Sequence, residues 1–333
     1  MHFDLTDEQL LIQETARKFS ENELKPIAAE LEKPENRALY LKQLKALSSL
    51  GFMGLNVNTD FGGSEAGVIA FSVALTEVAK ACASTAVAMS VNNLVAEVIQ
   101  IIGNQEQKDT YIPRICSGEY ICGAFCLSES EAGSDPSRLK TSAEENSQGW
   151  TLNGSKMWIS NAEYAGLLVV WAVTDPEAKP GRGISCFIIE GDNPGISVGP
   201  SEQKMGQRAS STNAVHFTNC VVPKSALLGE MNQGFRIAVG ELTGGRIGIA
   251  SLALGIGIAA LEEASAYITE RKQFGTKIAD FQGPQFMIAD AYTEMEASRL
   301  LALQAAWLKE NHKPYMREAS MAKLYASEWA NRA

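Results

Sequence analysis

Two changes of periodicity and one absence predict an α+β fold in three successive parts. Apolar residues recur at helical spacing over residues 1–119, give way to short β-rich runs over 120–229, and return to helical spacing over 230–333. Strands do not alternate with helices, and no G-x-G-x-x-G follows any strand, so a doubly wound Rossmann sheet does not fit. The expected architecture is an N-terminal helical domain, a middle β-barrel-like domain and a C-terminal helical bundle. With 333 residues and 45% hydrophobic content, the chain is large enough to bury such a core.

The first helix opens at "DLTDEQLL", where Thr6 and Gln9 form a capping box ahead of apolar residues at helical spacing. This start is neither basic nor continuously apolar, which does not match a signal peptide. Helix breaks are expected at "NVNTDFGGSEAG" and near Asn104. Five strands follow at "YICGAFCL", "GWTLNGSKMWIS", "LLVVWAVT", "GISCFIIE" and "NAVHFTNCVV", with Asn153-Gly154 expected to turn a hairpin. Helices are then expected at Gly234 to Arg271, Gln282 to Asn311 and from Tyr315 onward. The most apolar run, Ile247 to Leu261, is too short by itself to span a bilayer and fits a buried core helix.

A formal net charge of -10 argues against nucleic acid or an anionic membrane as the main partner. The six cysteines have no metal-ligand spacing and are expected to be structural thiols of a reducing compartment, with no metal bound.

Chemistry concentrates in "FCLSESEAGSDP", where an apolar run ends in hydroxyls and small residues. Leu127 and Ser128 close a strand, so their backbone groups can face a ligand. Gly133 permits close approach, and Ser134 with neighbouring amides can serve phosphate oxygens without a fixed charge. About thirty residues later "KMWISN" offers the flat face of Trp158 and, on the same side of a strand, the Ser160 hydroxyl. A flat aromatic cofactor with a phosphate tail would use both segments. Taken singly, the first is an ordinary turn and the second an ordinary packing tryptophan; the pairing in a β domain flanked by helices is what points to a ligand.

Together with "EQKMGQRASSTNAVHF", "GFRIAVGELTGGRIGIAS" and "ERKQFGTKIADFQ", these two motifs resemble the acyl-CoA dehydrogenases in order and spacing, most closely the short-chain, butyryl-type branch. The resemblance extends from "DLTDEQ" to "EASMAKLYASE". It implies FAD as cofactor, with Phe125, Leu127 and Ser128 along the flavin ring. Gly133 and Ser134 would lie near cofactor phosphates or the CoA portion. Trp158, Ile159 and Ser160 would sit at the flavin, with Trp158 covering one face and Ser160 near the hydride-accepting nitrogen. Arg271, Phe274 and Gln282 would reach the FAD of a neighbouring subunit. Thr243 and Arg246 would line the acyl-CoA entrance.

The reaction so implied is α,β-dehydrogenation of a short- or medium-chain acyl-CoA, with electrons passed to an electron-transfer flavoprotein. The family also implies a homotetramer, in a bacterial cytoplasm or a mitochondrial matrix. Its usual base is a glutamate in a "YEGT"-like segment, and a "QxxGG" stretch also touches FAD. Neither occurs up to Ala333, so a C-terminally truncated chain with an incomplete bundle is expected. A minority of the family places the base just before the helix arginine, where this chain has Gly245. Glu241 lies one turn earlier, about 5 Å along the helix, and is a weak substitute. Two alternatives stay open: a relative that uses oxygen or a non-CoA substrate, and a non-catalytic flavin or acyl-CoA binding protein.

Overall fold

The computed structural model describes residues 4–333, which pack as two compact units that do not follow chain order. One comprises residues up to Ala28, Ala66–Val87 and Thr243–Ala333; the other comprises Ala29–Glu65 and Ala88–Leu242. The helices before the sheet are α1 (Asp7–Phe19), α2 (Ala28–Leu31), α3 (Arg37–Ser49), α4 (Gly67–Ala81), α5 (Ala83–Ile102) and α6 (Gln105–Cys116). The Thr6–Gln9 capping box forms as expected, and Asn104 with Gln107 makes a second one that opens α6.

The strands are β1 (Cys122–Cys126), β2 (Ser142–Asn146), β3 (Gly149–Ser160), β4 (Ala165–Val173), β5 (Ile184–Glu190), β6 (Ile196–Val198), β7 (Thr212–Val222) and β8 (Leu227–Leu228). They run in the order β6-β7-β3-β2-β4-β5-β8, with β1 parallel to β4. The expected long helices appear as α7 (Gly234–Glu270), α8 (Gln282–Glu310) and α9 (Met316–Arg332); between α7 and α8, β9 (Lys272–Gln273) and β10 (Thr276–Lys277) form a small hairpin.

The run "LLVVWAV" reads as continuously apolar because β4 is buried on both faces. Leu167, Val169 and Trp171 join Val95 and Ile99 of α5 and Ile112 and Ile115 of α6, while Leu168, Val170 and Ala172 join Trp150, Phe187 and Phe217 of other strands. Asn92 of α5 donates to the Met53 carbonyl and accepts from the Gly123 amide, both at 2.8 Å. A buried side-chain amide thereby fixes β1.

The Asn153-Gly154 hairpin expected from sequence does not form, because β3 runs straight through both residues. Gly154 lies at φ +149 in a bulge, and a Cβ there would sit 2.6 Å from the Thr141 Cα. Close approach of the segment entering β2, rather than a turn, requires this glycine. The turn falls at residues 147–148, between Asn146 and Gly149. Strand β2, "SAEEN", is absent from the sequence-based set because only Ala143 in it is buried.

In the other unit, alanines form the seam between helices: Ala302, Ala305 and Ala306 of α8 meet Ala319, Ala322 and Ala326 of α9 and Ala250 and Ala253 of α7. A Cβ at Gly255 would overlap the Thr76 carbonyl of α4, and one at Gly257 the Trp329 ring of α9. Glycines that cost α7 about 1 kcal/mol each relative to alanine are therefore used for close packing. Trp329 is fully buried, and its indole N–H donates to the Ala291 carbonyl at 3.1 Å. Helices α5 and α7 are long and apolar enough to cross a membrane, and 67% and 56% of the qualifying stretches are buried in the protein. The apolar run Ile247 to Leu261 lies within the long helix expected there, and both helices serve as core.

Trp329→Ala is expected to cost about 3–5 kcal/mol of unfolding free energy by removing a buried indole. Urea titration with an unchanged slope measures this, and a loss below about 1 kcal/mol would contradict the packing described.

Candidate cofactor and substrate site

Two segments thirty residues apart in sequence become neighbours at the end of β1. The Met157 amide donates to the Ser128 carbonyl at 2.9 Å, and the Lys156 ammonium to the Leu127 carbonyl at 3.2 Å. Leu127, Ser128 and Trp158–Ser160 are thereby brought together at one place on the sheet. Phe125 is half-buried and packs against Trp171, with ring centroids 4.3 Å apart. The Leu127 side chain is buried in the core, so only its backbone is available to a ligand. Beyond Ser128, a tight turn closes between Glu129 and Ala132, leaving Gly133 and Ser134 exposed. A Cβ at Gly133 would meet no atom of the described residues within 4 Å, so their packing does not require that glycine and the space above the backbone is open.

Trp158 is 60% exposed and holds φ +62, at a register shift between β3 and β7. An L-residue in the left-handed region costs about 1–2 kcal/mol, and strain of this kind concentrates at binding sites. Its neighbour Ile159 turns into the core, while Ser160 returns to the half-exposed side that Trp158 occupies. Asn161, also left-handed but fully buried, donates to the Gly123 carbonyl at 3.3 Å and closes this corner of the sheet.

Sequence reasoning missed the two charged residues behind these segments. Lys156 is fully buried and pairs with Glu129 at 2.8 Å. Burial would push the Glu129 carboxyl up, but the Lys156 charge and hydrogen bonds from Lys156, Thr141 and the Lys140 amide hold it below the ordinary value. Burial lowers Lys156, and Glu129 offsets only part of that. The signal available in the sequence was a lysine on the buried parity of β3, one residue from an apolar position and two before Trp158.

The remaining expected residues lie elsewhere. Thr243 and Arg246 belong to the helical unit, where the Arg246 guanidinium reaches the Thr243 hydroxyl at 3.4 Å. Arg271, Phe274 and Gln282 also belong to it: the β9–β10 turn holds Phe274 at φ +53 and Gly275 at φ +83, and Phe274 is 95% exposed. Arg271 and Gln282 are exposed beside that turn. Glu241 is buried in the sheet-containing unit. A cavity of about 270 Å³ opens among α1, α4, α7 and α8 of the helical unit, lined by residues such as Thr76, Glu77, Leu254, Met295 and Arg299. It contains none of the site residues expected from sequence. All six cysteines are buried, and burial pushes the thiols of Cys116 and Cys126 up to about 12.

An exposed tryptophan face, the Ser128 and Ser160 hydroxyls and open backbone at Gly133 suit a planar cofactor held by neutral donors. No cationic side chain occurs among residues 125–134. Models of the acyl-CoA dehydrogenase N-terminal, middle and C-terminal domains match residues 6–119, 124–220 and 232–333. The chain is 42% identical over 328 residues to the mitochondrial short-chain specific acyl-CoA dehydrogenase of Rattus norvegicus, spanning 98% of this chain and 79% of that protein. A chain in the structure reported for the electron transferring flavoprotein of Acidaminococcus fermentans superposes with TM-score 0.94 at 40% identity, covering 99% of this chain and 86% of that one. The acyl-CoA dehydrogenase of Bacillus anthracis complexed with FAD superposes with TM-score 0.92 at 29% identity, over 99% of this chain and 59% of that one. The chain belongs to the acyl-CoA dehydrogenase family, FAD-dependent oxidoreductases that act on acyl-CoA.

Proposed function

We propose that the protein oxidises the Cα–Cβ bond of a short- or medium-chain acyl-CoA to the enoyl-CoA and passes the electrons to an electron-transfer flavoprotein. The observation that carries this reading is Trp158, an aromatic face held out of the core in a strained backbone conformation beside the Ser128 and Ser160 hydroxyls. The likeness to a short-chain specific dehydrogenase supports the substrate class, and the likeness to a chain from an electron transferring flavoprotein structure supports the acceptor. A bacterial cytoplasm or a mitochondrial matrix as the place of action, and a domain division at residues 119/120 and 229/230, belong to the same reading.

FAD, when bound, supplies the acceptor for hydride leaving Cβ. The chain's own residues bind and orient, and none of them is assigned as the base that takes the α-proton. Trp158 would cover one face of the ring and shield it from water, with the buried Ile159 anchoring that corner in the core. Ser128 would offer its hydroxyl to the ring's polar edge and Ser160 would offer its own near the hydride-accepting nitrogen, where preorganised donors favour developing negative charge. Gly133 and Ser134 offer open backbone and a hydroxyl to phosphate oxygens. Thr243 and Arg246 contact the thioester's polar tail. Arg271, Phe274 and Gln282 form an exposed projection suited to a second copy's cofactor, which is the reason to propose a homo-oligomer, a tetramer in the family pattern.

Protein expressed from its full reading frame is expected to purify with FAD and to lose its visible flavin absorbance under anaerobic butyryl-CoA. A spectrum that shifts without bleaching would make it a binding protein instead, and hydrogen peroxide formation matching turnover in air would make oxygen the acceptor. Trp158→Ala is expected to keep the fold within about 1 kcal/mol, since the ring is exposed, and to weaken FAD binding about 3- to 10-fold through lost stacking. Glu241→Gln is expected to leave the anaerobic bleaching rate within about 2-fold, because its carboxylate stands one helical turn, about 5 Å, from the family's helix position. A loss beyond 100-fold would instead identify Glu241 as the base.

A further inference from the structure

The Lys156–Glu129 pair is oddly placed for a device that only stabilises a fold. Both charges are buried, and a well-packed apolar pair of similar volume at such a position is often as stable or more so. An ion pair offers something an apolar pair cannot, which is direction. One Glu129 oxygen accepts from the Lys156 ammonium at 2.8 Å, the Thr141 hydroxyl at 2.6 Å and the Thr141 amide at 3.0 Å; the other accepts from the Lys140 amide at 2.6 Å. The Lys156 ammonium also donates to the Leu127 carbonyl at 3.2 Å. Three backbone segments are thus fixed at one point: the exit of β1, the approach to β2 and the bulged end of β3. Ser128 stands between Leu127 and Glu129, and Trp158 two residues after Lys156. Their only other direct tie is the Met157 amide to Ser128 carbonyl bond among the hydrogen bonds of the described residues.

We infer that Lys156 and Glu129 are positioning residues for the cofactor, setting the separation and orientation between the Ser128 segment and the Trp158–Ser160 face; this rests on the FAD reading above. Neither side chain needs to touch the cofactor. Their role is to keep the tryptophan face and the hydroxyls at fixed spacing when no ligand is present, so that binding requires little reordering.

The test compares the wild type with Lys156→Met/Glu129→Gln, which leaves no unpaired buried charge and keeps a carbonyl acceptor for the residue 140–141 amides. The apoproteins are compared by far-ultraviolet circular dichroism, then titrated with FAD by flavin fluorescence and visible circular dichroism. The expected result is a double variant with native secondary structure, FAD affinity reduced at least 10-fold, and an altered visible dichroism of the bound flavin. A double variant that melts at a lower temperature as apoprotein, yet binds FAD with unchanged affinity and dichroism, would reduce the pair to a fold staple and overturn the inference. If the double variant does not fold, Lys156→Gln/Glu129→Gln, a neutral pair that also leaves no unpaired buried charge, is put through the same comparison and decides by the same two readouts. Wild-type protein that binds no FAD at all would overturn the cofactor reading and this inference with it, a result separate from an unchanged double variant.

Discussion

Burial of β4 on both faces is the constraint on which the sheet-containing unit depends. Alternate residues of one strand serve two different cores, with Leu167, Val169 and Trp171 on the helical side and Leu168, Val170 and Ala172 on the other. Side-chain parity in a strand has period two, so a one-residue slip would exchange the two sets and ruin both cores together. That fixes β4, and β4 fixes its partners. β1 lies parallel to it in register from Gly123↔Leu167 to Cys126↔Val170, which sets where Leu127 and Ser128 emerge. Trp171 then supports Phe125 on one side and donates its indole N–H to the Gly234 carbonyl at 2.7 Å, at the start of α7.

Against that regular frame, the candidate site departs from the ordinary rules of placement. A tryptophan is exposed at a left-handed φ where burial in a strand would be the default, and a lysine is fully buried where exposure would be. The two departures lie two residues apart on β3 and share a cause. The strand's regular alternation is broken between Lys156 and Ile159, so the chain can send one side chain inward and hold another out. A sequence consistent at every other level tends to break its own rules at functional positions, because the strain there is offset by the surrounding fold.

Much of this is legible in the sequence. Capping at Thr6, the break at Asn104, the three long C-terminal helices and five strands follow from periodicity and end signals, which are local. The neighbourhood of the "CLSES" and "MWISN" segments was also legible, since each joins a strand end to polar residues of one chemistry. What escaped is non-local. Asn153-Gly154 carries the local signature of a turn, but its glycine answers to Thr141, which leads into the neighbouring strand β2. Strand β2 is polar because only one of its side chains is buried, so pairing rather than hydrophobicity defines it. The partnership of Lys156 with Glu129 spans 27 residues of sequence separation and has no signature in either segment alone.

The glycines of α7 show how the same sequence feature divides between two explanations. A glycine in a helix implies that something approaches closely, either another helix or a ligand. Gly255 and Gly257 are accounted for by α4 and α9, because backbone and ring atoms occupy the place of a Cβ. Gly244 is different: a Cβ there would lie 2.8 Å from the Lys309 ammonium and 3.6 Å from the Tyr315 hydroxyl, the far ends of two polar side chains. Such ends can withdraw at little cost, so sterics alone would tolerate alanine at Gly244 far better than at Gly255. Packing therefore accounts for Gly255 and Gly257 but does not by itself account for Gly244, which lies between Thr243 and Arg246. At Gly133 no atom of the described residues lies within 4 Å of the place of a Cβ, so no packing among them calls for a glycine there.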